Sequence, residues 1–294
     1  MEPIQADPQG RPLYLNMSEH SLRCGPHSLT WSPGRPLVMG IVNVTPDSFS
    51  GDGLHHRVNA AFDQAMRMVD AGAALLDIGA ESTRPGAQPV GLQEELDRLL
   101  PVLEKLVAAG VPVSVDTMKA RVMAESIRLG VGMINDVTAL SDPAAAAALA
   151  PHANVAVCLM HMLGEPPAMQ TAPQYGDVTA EVVGFLQRAE ALAVRAGIER
   201  KRLVLDPGFG FGKTFAHNQQ LFRALPDLVK LGLPVLVGVS RKTMIGHVLD
   251  KPVSERIVGS VAAALLAAQY GAAMVRVHDV SETVDALKIL HALG

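Results

Sequence analysis

Arg276 and His278 stand two residues apart in the run Met274-Val275-Arg276-Val277-His278. On a strand that spacing sends both side chains off one face, so a guanidinium fork and an imidazole would share a wall. Paired N–H donors of this kind suit a phosphate or diphosphate. Asn43 closes the apolar run that starts at Leu37, and it would add an amide to the same wall if the first and last strands lie side by side. For Arg276 alone, an ion pair to Asp279 or another rim carboxylate is the plain alternative.

A second set of polar residues follows other apolar runs. Asp116 comes after Val113-Ser114-Val115, Asn135 after Met133-Ile134, and Asp206 after Leu203-Val204-Leu205, while Lys242 lies just past Val235–Val239. Taken singly, such an Asp caps a helix and such a Lys is solvated. In one pocket the carboxylates would accept from an amidine-like N–H edge. Asn135 would give and accept, and Lys242 would donate to a carbonyl or ring nitrogen. A flat heterocycle fits that inventory.

The elements that must gather these residues are legible as a repeat. Short apolar runs, near continuous as in strands buried on both faces, alternate with helical spacing such as Val58, Ala61, Phe62, Ala65, Met66 and Val69. About eight strand-then-helix units recur within 294 residues, the pattern of a single (β/α)8 TIM barrel, which needs roughly 250. An open doubly wound sheet is the runner-up, but its site lies at one switch point rather than after almost every strand. The expected organisation is a loose arm over 1–27 and a barrel over 28–294. The barrel opens on a hairpin in which Ser28–Trp31 turns through Ser32-Pro33-Gly34-Arg35 into the strand at Leu37. Trp31 reads as packing at the closed end, and Pro101 should kink its helix or start a second segment. Helices are also expected at about 217–231, 254–270 and 282–292.

Composition excludes several classes. The net charge is -4 and there is no basic stripe, which argues against a general nucleic-acid binder. Two cysteines, Cys24 and Cys158, support neither a disulfide framework nor a zinc site and point to a reducing compartment. No window has the apolar length of a membrane span, and residues 1–30 lack a signal-like apolar core, so a soluble cytoplasmic protein is expected. Two motifs are decoys. Gly208-Phe209-Gly210-Phe211-Gly212-Lys213-Thr214 imitates a phosphate loop, but Pro207 occupies the first glycine's place. His55-His56 reads as a solvated loop pair.

The motifs in their order resemble the dihydropteroate synthase family of the folate pathway, the sulfonamide targets: NVTPDSFS at 43–50, ESTRPGA at 81–87, VDT at 115–117, IND at 134–136, LMH at 159–161, DPGFGFGK at 206–213, SRK at 240–242 and RVHDV at 276–280. The resemblance implies a transferase that joins 6-hydroxymethyl-7,8-dihydropterin diphosphate to p-aminobenzoate with Mg²⁺, giving 7,8-dihydropteroate and diphosphate. It implies a pterin pocket of Asp116, Asn135, Met160, Asp206 and Lys242. It puts Asn43, Arg276 and His278 at the diphosphate, with Asn43 at the metal, and Thr83, Arg84, Pro85, Phe211 and Ser240 around the aminobenzoate. Lys242, Asp116, Arg276 and His278 are the implied catalytic set. The family's Ser-Asp-Gly-Gly order is here Ser50-Gly51-Asp52-Gly53, so the loop carboxylate is displaced by one residue, and the roles of Asp47 and Asp52 are left open. The DPGFGFGK stretch is unaltered, which implies sulfonamide sensitivity. A pterin-dependent methyltransferase, an aldolase using Lys242 as a Schiff base and a non-catalytic pterin-binding protein are the competing readings. The run Val261–Ala268 is apolar nearly all round, more than one buried face needs, and a homodimer through it is expected, as in the family.

Overall fold

The computed structural model describes residues 19–44, 54–81, 89–164 and 173–293. Two short strands, β1 (His20–Cys24) and β2 (His27–Trp31), form an antiparallel hairpin that turns at Gly25, whose φ is 59°. Eight parallel strands follow: β3 (Leu37–Asn43), β4 (Leu75–Gly79), β5 (Val113–Asp116), β6 (Met133–Asp136), β7 (Ala156–Met160), β8 (Leu203–Asp206), β9 (Leu236–Val237) and β10 (Met274–Val277). Each pairs with the next in chain order, β10 returns to β3, and a parallel bridge from Leu205 to Val235 joins β8 to the start of β9. The TIM barrel is thereby nearly closed, as eight alternating units require.

Ten α-helices among the described residues lie between and beyond these strands: α1 (Leu54–Asp70), α2 (Leu92–Ala108), α3 (Ala120–Leu129), α4 (Pro143–Leu149), α5 (Val178–Arg195), α6 (Phe215–Arg223), α7 (Leu225–Val229), α8 (Thr243–Leu249), α9 (Ile257–Gln269) and α10 (Val280–Leu293). One apolar cluster fills the layer between strands and helices. A second is the barrel's own interior, where Leu37, Met39, Leu75, Met133, Cys158, Val204 and Met274 meet Leu22, Cys24 and Leu29 of the hairpin. The hairpin is thus the plug of the closed end. Trp31 packs against this cluster and stacks on His20 at 5.5 Å.

The structure differs from the sequence reading in several places. The turn at Ser32-Pro33-Gly34-Arg35 is present, closed by the Arg35 amide donating to the Ser32 carbonyl at 2.8 Å, but β2 pairs with β1 rather than with β3, so part of the expected arm is a strand. The alternation Leu22/Cys24 against Leu29 buries one face of a two-stranded unit, which composition alone did not separate from an arm. Pro101 starts no second segment, because α2 runs unbroken from Leu92 to Ala108. The expected helix over 217–231 is two helices, because Pro226 in the first turn of α7 restarts the backbone. The short α8 was not anticipated, and His55 and His56 fall within α1 rather than in a loop.

Gly132 sits where the plug meets the barrel. A Cβ built on it would lie 2.3 Å from the carbonyl carbon of Cys24 and 2.5 Å from the nitrogen of Gly25, and backbone cannot yield as a side-chain tip can. Gly132→Ala should therefore destabilise the protein by roughly 2 kcal/mol through overpacking. A thermal melt should register a lower midpoint, and an unchanged midpoint would show that the hairpin does not seal this end.

Candidate active site

In a parallel barrel all the strand C-termini open on one mouth. Asn43, Asp116, Asn135-Asp136, Met160 and Asp206 are at or next to the last residues of their strands, and His161, Ser240, Lys242 and His278 lie just beyond. The residues singled out from scattered positions in the chain are thus drawn to one end.

Their centre is Arg276. Its Nε donates to Asp77 Oδ2 at 2.6 Å and its Nη2 to Asp116 Oδ2 at 2.9 Å. Asn135 Nδ2 donates to the same Asp77 oxygen at 3.0 Å. The carboxylates that hold the arginine are therefore Asp77, inside β4, and Asp116, at the end of β5; Asp279 pairs instead with Arg241. Burial works against the Arg276 charge, but Asp77 and Asp116 more than restore it and hold its pKa above the ordinary arginine value. For Asp116 burial wins and pushes the carboxyl up to about 7; Arg276 opposes this, while Asp77, Glu95 and Asp136 add to it.

The other side of the mouth is built on the Asp206–Lys213 loop. Asp206 is buried, accepts from the Gly208 amide at 2.7 Å and is raised by burial against the pull of Lys242. Lys242 donates to the Phe209 carbonyl at 2.5 Å, and its ammonium lies 4.6 Å from the centre of the Phe211 ring, a cation–π contact. Burial lowers Lys242 to about 8, with Asp206 resisting. Lys213, the lysine of the phosphate-loop decoy, is turned to backbone. It donates to the carbonyls of Gly208 at 2.8 Å and Phe211 at 3.1 Å and lies 2.8 Å from His161 Nδ1. Burial, then the Lys213 charge, takes His161 down to about 3, so its ring is neutral.

Ser240 and His278 are in contact: the His278 amide donates to Ser240 Oγ at 3.2 Å, and its Nδ1 lies 3.1 Å from the same oxygen. Residues implied for two different ends of the site thus adjoin. Thr83, Arg84 and Pro85, like Asp47 and Asp52, lie outside the described residues.

Two groups were missed by sequence reasoning. Asp77 is a carboxylate inside the apolar run of β4, and that interruption was its one signal. The second group is Glu95, fully buried, which accepts from Thr117 Oγ1 at 2.7 Å and from Lys119 Nζ at 2.5 Å; Lys119 also binds Glu81. It joins the segments that leave β4 and β5, and nothing in the spacing of the three residues foretells it.

The site's chemistry is that of a polar well for a flat, N–H-rich ring beside a cationic wall. Residues 39–278 match the pterin binding enzyme family. The chain is 49% identical over 258 residues to the dihydropteroate synthase of Escherichia coli K12, a match covering 87% of this chain and 91% of that one. Among solved structures it resembles Xanthomonas albilineans dihydropteroate synthase with 4-aminobenzoic acid, at a TM-score of 0.88 and 52% identity, covering 94% of this chain and 98% of that one. The same enzyme in complex with 7,8-dihydropteroate superposes at 0.83 and 49% identity, covering 93% and 98%.

The raised Asp116 carboxyl carries a stability signature. Its folded pKa of about 7 lies above the ordinary 3.8, so its contribution is fully present below about pH 4 and is lost as pH rises through 7. Asp116→Asn has no charge to bury. Its stability relative to the wild type should climb between pH 4 and pH 8, by on the order of 2–4 kcal/mol. Urea unfolding of both proteins at the two pH values checks this; a constant difference would mean that Asp116 is not raised.

Proposed function

The chain belongs to the dihydropteroate synthase family of pterin-binding enzymes, and on that premise we propose how its mouth carries out the family's reaction. The enzyme joins 6-hydroxymethyl-7,8-dihydropterin diphosphate to p-aminobenzoate, releasing 7,8-dihydropteroate and diphosphate. The aryl amine forms a bond to the exocyclic carbon of the pterin, the carbon–oxygen bond to the diphosphate breaks, and the amine gives up a proton. The observation that carries the reading is the junction at Arg276, whose Nη2 donates to Asp116 of the ring pocket and so joins that pocket to a cationic wall.

Asp116, Asn135, Asp206 and Lys242 bind the pterin edge, with Met160 on the pocket wall. Arg276 and His278 face the diphosphate, where a fixed positive charge favours the leaving group as its charge grows. Phe211, Ser240 and the stem of Lys242 line the aminobenzoate side. Among the described residues no three His, Cys, Asp or Glu gather as a metal cage. Asn43 offers one hard amide oxygen at the mouth, a donor set that fits Mg²⁺ carried on diphosphate oxygens. When bound, the ion neutralises charge on the departing diphosphate.

No helix among the described residues is long and apolar enough to cross a membrane. Cys24 and Cys158 are buried free thiols, in keeping with a reducing cytoplasm. The protein acts as a homodimer through α9 and its surroundings. Ser260, Ala263, Ala264, Ala267 and Ala268 face inward, while Val258 is 80% exposed and Leu266 45%, with Val248 and Val253 exposed nearby. A patch of that kind marks an interaction surface. Val258→Glu should convert a dimer mass in light scattering to a monomer mass at micromolar concentration; a wild type that is already monomeric would refute the dimer.

Release of diphosphate from the two substrates tests the activity. In the same assay Lys242→Ala should raise the KM of both substrates, each by about tenfold, since one side chain supplies a donor to the ring and a wall to the amine. A variant unchanged for both would remove Lys242 from the site.

A further inference from the structure

Asp77 has no part in the roles assigned above, yet two of the pocket's central side chains bind it. It lies on β4, fully buried, and its Oδ2 accepts from Arg276 Nε and from Asn135 Nδ2. A carboxylate can only accept. Its presence therefore dictates which way the Asn135 amide is turned: Nδ2 toward Asp77, Oδ1 away from it. Asn135 Oδ1 and Asp77 Oδ1 have no hydrogen-bond partner among the described residues, and buried acceptors left so are uncommon unless a ligand or other function accounts for them. The acceptor that Asn135 retains matches a ring N–H and opposes a ring nitrogen. The same carboxylate holds Arg276 by its Nε edge.

We propose that Asp77 is a positioning residue that sets the hydrogen-bond polarity of Asn135 and the aim of Arg276, coupling the ring end of the site to its diphosphate end. This rests on the assignment of pterin and diphosphate in the preceding section. Asp77 acts through its two partners, because its own oxygens are sealed beneath them. Its charge also moderates the cationic wall, so that diphosphate is held and can still leave.

The test separates these effects by sign. Asp77→Asn keeps the shape, frees the Asn135 amide to turn and removes one negative charge from beside Arg276. Calorimetry should show 6-hydroxymethylpterin binding weakened about tenfold and inorganic diphosphate binding tightened about threefold to tenfold, and kcat should fall at least tenfold. A general structural defect weakens both ligands together; that result, or no change in either, overturns the proposal. Should the variant fail to fold, the wild type serves. The Arg276 Nε–H signal in ¹⁵N NMR, identified by its loss in Arg276→Lys, should remain slowly exchanging when diphosphate saturates the site. Its passage into fast exchange would show that Asp77 does not hold the bound arginine and would overturn the proposal. A wild type that binds neither ligand would instead refute the site assignment, and the inference with it.

Discussion

Arg276 carries a full charge into the buried mouth of the barrel, and a cation in such a place persists only beside opposite charge. Two carboxylates supply it, one below and one at the rim. They are themselves costly to bury, as the upward displacement of Asp116 shows. The site is thus a compromise among three groups of which none is at ease alone. Sites that keep such groups ready for a ligand give up stability for function. A ligand that brings its own donors and its own negative charge would relieve both sides of the compromise.

The compromise needs a rigid frame. Below the polar layer the barrel interior is closed by Met39, Leu75, Met133 and Met274 and by the hairpin residues Leu22 and Leu29, so the well has an apolar floor. Beside it, Lys213 gathers two carbonyls of the Asp206–Lys213 loop and the His161 ring. The lysine thereby fixes the loop that brings Phe211 to Lys242. The same loop looks from its glycines like a phosphate cradle, but here its lysine is spent on its own backbone.

Asp116, Asn135 and Asp206 were legible in the sequence because each ends an apolar run, and a barrel brings every such ending to one place. Arg276 and His278 were legible through their spacing. Asp77 was not, because a polar residue within a buried strand can be read only once its neighbours across the barrel are known, and Arg276 is 199 residues away. Contact between Ser240 and His278 depends in the same way on two adjacent strands. The hairpin was recognised as a type of element but with the wrong partner strand, since the burial that distinguishes β1 from an arm comes from the barrel interior it plugs. Long periodic helices were placed well. The seven-residue α8 carries too few apolar positions to declare a period.

The glycines of the Asp206–Lys213 loop restrict what descent with modification can do to this site. A Cβ at Gly208 would lie 1.8 Å from the His161 carbonyl oxygen, and one at Gly212 would lie 2.3 Å from that of Leu163; both residues hold positive φ. Neither shoulder of the loop can accept a side chain without rebuilding the turn after β7 as well, a change that takes more than one substitution. Between them Phe211 is half-buried and faces Lys242. A lineage selected for a different occupant beside that lysine therefore meets an uneven set of routes, with position 211 open to single steps and the glycines on either side closed to them.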